Sequence, residues 1–352
     1  MAHMISGIQQ MGIGIPDVHQ AWKWYRNHLG MDVPIFEEAA TAGLMLPYTG
    51  GMPHDRHAIL ALNMQGGGGF EIWQYTSRTP QPPSFEPYYG DLGINVCKIK
   101  TRNIDEAFKF LQSKGCVISP KIEQNSNGRQ HFYLRDPYGN LFQVIEFDTF
   151  FLKSKAVTGG VCGATIGVSD IDASLKLYRD VLGYDQILFD ETGTFEDLEG
   201  INPENCTYRR VALRHSRERS GAFSRLLGPT EIELVQNKSR AGKKIYENRF
   251  WGDLGFIHLC FDVTDMNALQ VNCEAAGFPF TVDSASSFDM GEAAGHFTYI
   301  EDADGTLIEF VETHKIPIMK KLGWYLNLKK RNASKALPNW MLGALSLNRK
   351  KD

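Results

Sequence analysis

Several common signals are absent or weak in this 352-residue chain. Its six cysteines (Cys97, Cys116, Cys162, Cys206, Cys260 and Cys273) are scattered and form no Cys-x-x-Cys pair. That argues against a disulfide framework and suits reduced thiols, so a cytoplasmic protein is expected. No secretory leader is recognisable, and no apolar run is long enough to span a bilayer. The 37 basic and 41 acidic residues leave a formal net charge of -4, which gives no reason to expect nucleic acid as a partner. There is no Gly-x-Ser-x-Gly elbow and no Cys–His motif, so a hydrolase built on a side-chain nucleophile has no support.

What the chain does have is repetition. Tyr25-Arg26-Asn27-His28-Leu29-Gly30 recurs as Tyr178-Arg179-Asp180-Val181-Leu182-Gly183. Gly90-Asp91-Leu92-Gly93 recurs as Gly252-Asp253-Leu254-Gly255, and Asp136-Pro137-Tyr138-Gly139-Asn140-Leu141 as Asp302-Ala303-Asp304-Gly305-Thr306-Leu307. Such self-similarity governs the fold, and it lets one half serve as a control for the other. Periodicity predicts a strand over 9–15, then a helix capped by Asp17 and ended by Gly30. Strands over 58–64 and 70–75 follow, joined by Gly66-Gly67-Gly68-Gly69; no helix follows this run, so it reads as a hairpin turn rather than a phosphate cradle. The same order returns three more times, with helices over 104–114, 171–182 and 266–276. The expected fold class is α+β: four tandem βαβββ units forming two curved mixed sheets, with a C-terminal helical tail. The halves span 5–150 and 158–313. The tail, 314–352, carries ten Lys or Arg and one Asp interleaved with apolar residues. It is read chiefly as a surface helix packed on its own protein, with a lid, a dimer contact or a membrane-surface helix as alternatives.

These motifs resemble the vicinal oxygen chelate superfamily, which includes glyoxalases, bleomycin resistance proteins and extradiol dioxygenases. The resemblance covers roughly residues 7 to 313. In that family two βαβββ units curve around a metal, with ligands from the first and last strand of each unit. Carried onto this chain, the resemblance implies eight positions: Gln10 and Glu71, Val96 and Gln143, Gly163 and Glu233, His258 and Glu309. Gln10, Gly163 and His258 each lie seven residues before a helix-capping Asp (Asp17, Asp170, Asp265). Val96 and Gly163 have no side chain that could bind a metal. Pairing the first unit with the fourth gathers Gln10, Glu71, His258 and Glu309, a complete set of the glyoxalase type, and leaves the twin site dead. Pairing by halves would instead place Glu233 with His258 and Glu309. The first arrangement is favoured because it completes one site.

One amide, two carboxylates and one imidazole suit a single divalent ion per chain: Zn, Ni, Co, Mn or Fe(II). The resemblance then implies a lyase or isomerase acting on a small oxygenated molecule, with Glu309 the candidate base and Glu71 facing it. An Fe(II) ring-cleaving dioxygenase and a non-catalytic small-molecule binder are the alternatives. Whether glutathione takes part is left open, and a homodimer is compatible.

Overall fold

In the computed structural model, residues 3–201, 205–285, 288–289, 294–319, 324–329 and 331–350 are described. The first unit comprises strands β1 (Met4–Gly14), β2 (Val33–Thr41), β3 (Asp55–Leu62) and β4 (Gly69–Tyr75). The second comprises β5 (Gly93–Thr101), β6 (Glu123–Gln124), β7 (Gln130–Arg135) and β8 (Leu141–Glu146). The third comprises β9 (Val161–Gly167), β10 (Gln186–Gly193), β11 (Tyr208–Arg214) and β12 (Glu231–Asn237). The fourth comprises β13 (Gly255–Thr264), β14 (Val282–Asp283), β15 (Phe288–Asp289), β16 (Ala294–Glu301) and β17 (Leu307–Met319).

Each unit places a helix after its first strand: α1 (Val18–Leu29), α2 (Ile104–Ser113), α3 (Ile171–Leu175) and, after the short α4 (Ser224–Leu227), α5 (Met266–Ala275). Asp17 caps α1 by accepting from the backbone of His19 and Gln20, and Gly30 closes it at φ 65°. The third-unit helix is α-helical for a shorter stretch than its periodicity predicts, widening into a π turn over Lys176–Val181.

The strands form two curved mixed sheets, and each sheet takes one unit from each half. One runs β14-β16-β17-β13-β1-β4-β3-β2, joining the fourth unit to the first; the other runs β10-β11-β12-β9-β5-β8-β7-β6, joining the third to the second. The junctions are antiparallel, β1 on β13 and β5 on β9. A single large core extends through both, with Ile13, Tyr25, Phe70, Phe142, Ile166, Tyr178 and Phe310 among its fully buried members.

The four-glycine run does more than turn the chain. Gly68 exchanges two backbone hydrogen bonds with Val161, and the Gly67 N–H donates to Leu226 O. A Cβ at Gly67 would lie 2.7 Å from Val161 O, and one at Gly68 2.7 Å from Ile8 O. The run is where the backbones of the two sheets meet, and only glycine permits that approach.

Among its described residues the tail is helical only near its end. It first prolongs β17 well beyond the length of its counterpart β8 and folds back as β18 (Trp324–Asn327). The β-branched Ile316 and the aromatic Tyr325 favour this strand character, which outweighs the helical reading. Among the described residues of the tail, helical structure is found in α6 (Asn339–Gly343) and a 3-10 segment, Ala344–Asn348. Among the described residues no helix is long and apolar enough to cross a membrane.

Candidate metal centre

The sheet that joins the first and fourth units brings four of the expected residues together. Gly12 on β1 lies in register with Glu71 on β4 and with His258 on β13. Two residues along, Gln10 is in register with Cys260, which is in register with Glu309 on β17. Because side chains two apart on a strand share a face, both rungs point into one cup. Gln10 Nε2 donates to Glu71 Oε2 and to Glu309 Oε2, each at 3.2 Å. His258 Nε2 lies 3.1 Å from Glu309 Oε2 and 3.3 Å from Glu71 Oε2. The imidazole is fully buried and Gln10 nearly so, while Glu71 is the most open of the four.

The rest of the rung makes room for this cluster. A Cβ on Gly12 would fall 2.4 Å from the His258 ring, so glycine there is what lets the imidazole lie across β1. Tyr299 meets that ring edge-on, with its hydroxyl 3.4 Å from Nδ1, and Trp251 lies parallel to it at 6.3 Å. Tyr299, Trp251, Gly12 and Cys260 escaped the sequence reading. Strand alternation could have flagged Cys260, two residues from His258; Trp251 comes from a loop and had no signal.

The donor set fits a cation. Although two carboxylate oxygens lie within 3.3 Å, His258 Nε2 makes no aligned hydrogen bond among the described residues. The ligand atoms of Glu71, His258 and Glu309 lie within 4.8 Å of one another, close enough for one cation to be shared among them. Burial opposes protonation of this imidazole, but the charges of Glu309 and Glu71 outweigh it and raise its pKa to about 9. Without an ion between them, the carboxylates draw a proton onto the ring instead. Gln10 suits either state, since its amide has a donor and an acceptor end that a flip exchanges.

Val96, Gln143, Gly163 and Glu233 lie in the other sheet, so Glu233 does not join His258. Their register repeats that of the first cup: Glu233, Thr165 and Val96 form one rung, and Gly163, Lys98 and Gln143 the other. Lys98 stands where Cys260 stands, and its ammonium pairs with Glu233 Oε2. Arg210, at the register position of Ala58, places Nε 2.7 Å from Glu233 Oε1 and Nη1 2.7 Å from Asp197 Oδ1. Arg210 and Lys98 hold the Glu233 carboxyl far below the usual carboxylate range despite its burial. In this cup two tethered side-chain cations occupy the role that an ion would fill in the other.

Two family models, both described as the glyoxalase/bleomycin resistance protein/dioxygenase superfamily, match residues 7–144 and 164–299. No curated protein matches the sequence. Among solved structures, glyoxalase I from Zea mays aligns at 14% identity over 87% of this chain and 92% of that chain, with a TM-score of 0.53. A provisionally assigned dioxygenase from Bacillus subtilis subsp. subtilis str. 168 aligns at 15% identity over 88% and 86%, with a TM-score of 0.56. Likeness at this identity speaks for the fold.

Proposed function

Because the chain belongs to the glyoxalase/bleomycin resistance protein/dioxygenase superfamily, we propose that it is a metal-dependent lyase or isomerase of the glyoxalase type. Gln10, Glu71, His258 and Glu309 would hold one divalent ion. When bound, that ion supplies a Lewis acid for two neighbouring substrate oxygens and acidifies the adjacent C–H. Glu309 takes the proton from that carbon and returns it to its neighbour, a general-base role that needs a carboxylate within reach of the carbon. Glu71 faces it across the cup, and Gln10 keeps the two carboxylates converged. Trp73 and Tyr299 wall the same cavity as Glu71 and Glu309 and limit water around the moving proton.

The observation that carries this reading is the convergence of Gln10 and His258 on the Glu71 and Glu309 carboxylates, at 3.1–3.3 Å, in one buried cup. An Fe(II) ring-cleaving dioxygenase of the two-His-one-carboxylate kind would need a second imidazole, and the buried cluster of Glu71, His258 and Glu309 has one. The test is solvent deuterium wash-in at the α-carbon of small α-hydroxy ketones, followed by NMR on metal-loaded protein. Wash-in that Glu309→Gln abolishes is expected. Oxygen uptake with a catechol and no wash-in would overturn the reading.

A further inference from the structure

The cavity that opens on Gln10, Glu71 and Glu309 has a volume of about 380 Å³, within the size range of small-ligand pockets. Away from the carboxylates its wall is mostly apolar, with Thr41, Thr313 and Asn348 among its few polar members, and comes from all around the fold: Leu60 from the first unit, Leu226 and Leu227 from the third, Val311 from the fourth and Leu345 from the tail. The tail is held in place there. Arg349 pairs with Asp32 at 3.4 Å, the Lys350 N–H donates to Asp32 O, and the Leu337 N–H donates to Ala222 O. Glu38, Arg56, Glu71 and Glu309 are the charged side chains on the described wall, and Arg56 already holds Glu38 at 2.8 Å. With a divalent ion between Glu71 and Glu309, these charges cancel. A buried anionic group on a substrate would lose hydration without gaining a counter-charge from the described wall.

We propose that the substrate is uncharged, with an apolar alkyl or aryl body attached to its oxygenated carbon pair, and that Leu345 of the C-terminal segment helps to select it. The oxygenated end of this substrate rests on the function proposed above; the apolar body rests on the wall.

The test uses the metal-loaded full chain and a series of 1-hydroxy-2-ketones of increasing chain length, each beside its ω-carboxylate counterpart. Binding is read from the fluorescence of Trp73 and Trp251, which line the cavity. Affinity is expected to rise about fourfold per methylene, the gain from burying one CH2, until the cavity is full. The ω-carboxylates are expected to bind roughly tenfold more weakly. Leu345→Asp should flatten the dependence on chain length, and Leu345→Ala should weaken it, both with metal content unchanged. Affinity indifferent to chain length, or an ω-carboxylate that binds as tightly as its neutral twin, overturns the inference. Proton exchange into the shortest ketone is scored separately: its absence, with chain-length dependence intact, overturns the proposed function and leaves the substrate class standing.

Discussion

The hydroxyl of Tyr25 donates a 2.6 Å hydrogen bond to Asp136 Oδ2. In the second half Tyr178 does the same to Asp302, at 2.9 Å. The repeated Tyr-Arg-x-x-Leu-Gly motif and the repeated Asp turn are therefore two ends of one contact. It ties the first unit to the second and the third to the fourth, whereas the sheets tie the first to the fourth and the second to the third. The four units are joined in a ring by two kinds of contact.

Tyr25→Phe should destabilise the protein by about 1–3 kcal/mol, because buried Asp136 loses a donor that water cannot replace. Asp136 keeps Asn140 and the backbone of Tyr138, so the fold should survive. Denaturant unfolding measures the loss; metal content should not change.

His258→Ala should abolish retention of a divalent ion after gel filtration, with the circular dichroism spectrum preserved. Glu71→Gln should lower turnover far more than stability. His19, Glu37 and His57 also bring ligand atoms within 4.8 Å of one another at the surface. Stoichiometry is therefore best counted by elemental analysis in a His57→Ala background, where one ion per chain is expected.

In the twin cup, Glu233→Ala should cost roughly 3–5 kcal/mol, since it strands Lys98 and Arg210 as buried cations without their shared carboxylate. Replacing Lys98 and Glu233 together by Met and Leu should recover much of that loss. A double variant as unstable as the single one would argue against this account. Proton exchange should be unaffected by either.

Asp262 and Lys100 occupy equivalent positions, opposite Val311 and Ile145, and both are buried. Burial raises Asp262 to about 7 and lowers Lys100 to about 8. An acid with a raised folded pKa holds its proton more tightly when folded, so its contribution declines as pH climbs from about 4 to about 7. Asp262→Asn should therefore match the parent near pH 4 and exceed it by several degrees in Tm at pH 8. A base with a lowered folded pKa penalises folding below that value, and the penalty lifts as pH rises from about 8 towards about 10.5. Lys100→Met should be the more stable protein at neutral pH and lose that advantage in strong alkali. Thermal unfolding across pH checks both.

Much of the architecture is visible in the one-dimensional pattern. The resemblance to the vicinal oxygen chelate superfamily implied Gln10 and His258 as ligand positions, and the shared offset of seven residues to a helix-capping Asp carried that implication onto this chain. The repeat supplied the comparison that made Val96 and Gly163 informative. The glycine run was legible as a turn but not as a junction, since close approach to Val161 depends on chain nearly a hundred residues away. The strand in the tail was not legible in the sequence, because its residues find their partner only once β17 is in place. Nothing in the sequence announced that Leu345 walls the cavity or that Lys98 reaches Glu233.

By itself, then, the sequence determined the four units with their caps and turns, because these follow from local periodicity and side-chain chemistry, and it carried the motifs whose resemblance to a known family implied the residues at the floor of each cup. The tertiary structure decided which units share a sheet, and so that Glu71 and Gln10 meet His258 while Glu233 meets two cations. The physical reason is that strand edges offer the same backbone donors and acceptors whatever their sequence. Their choice of partner is made by the packing of the whole chain.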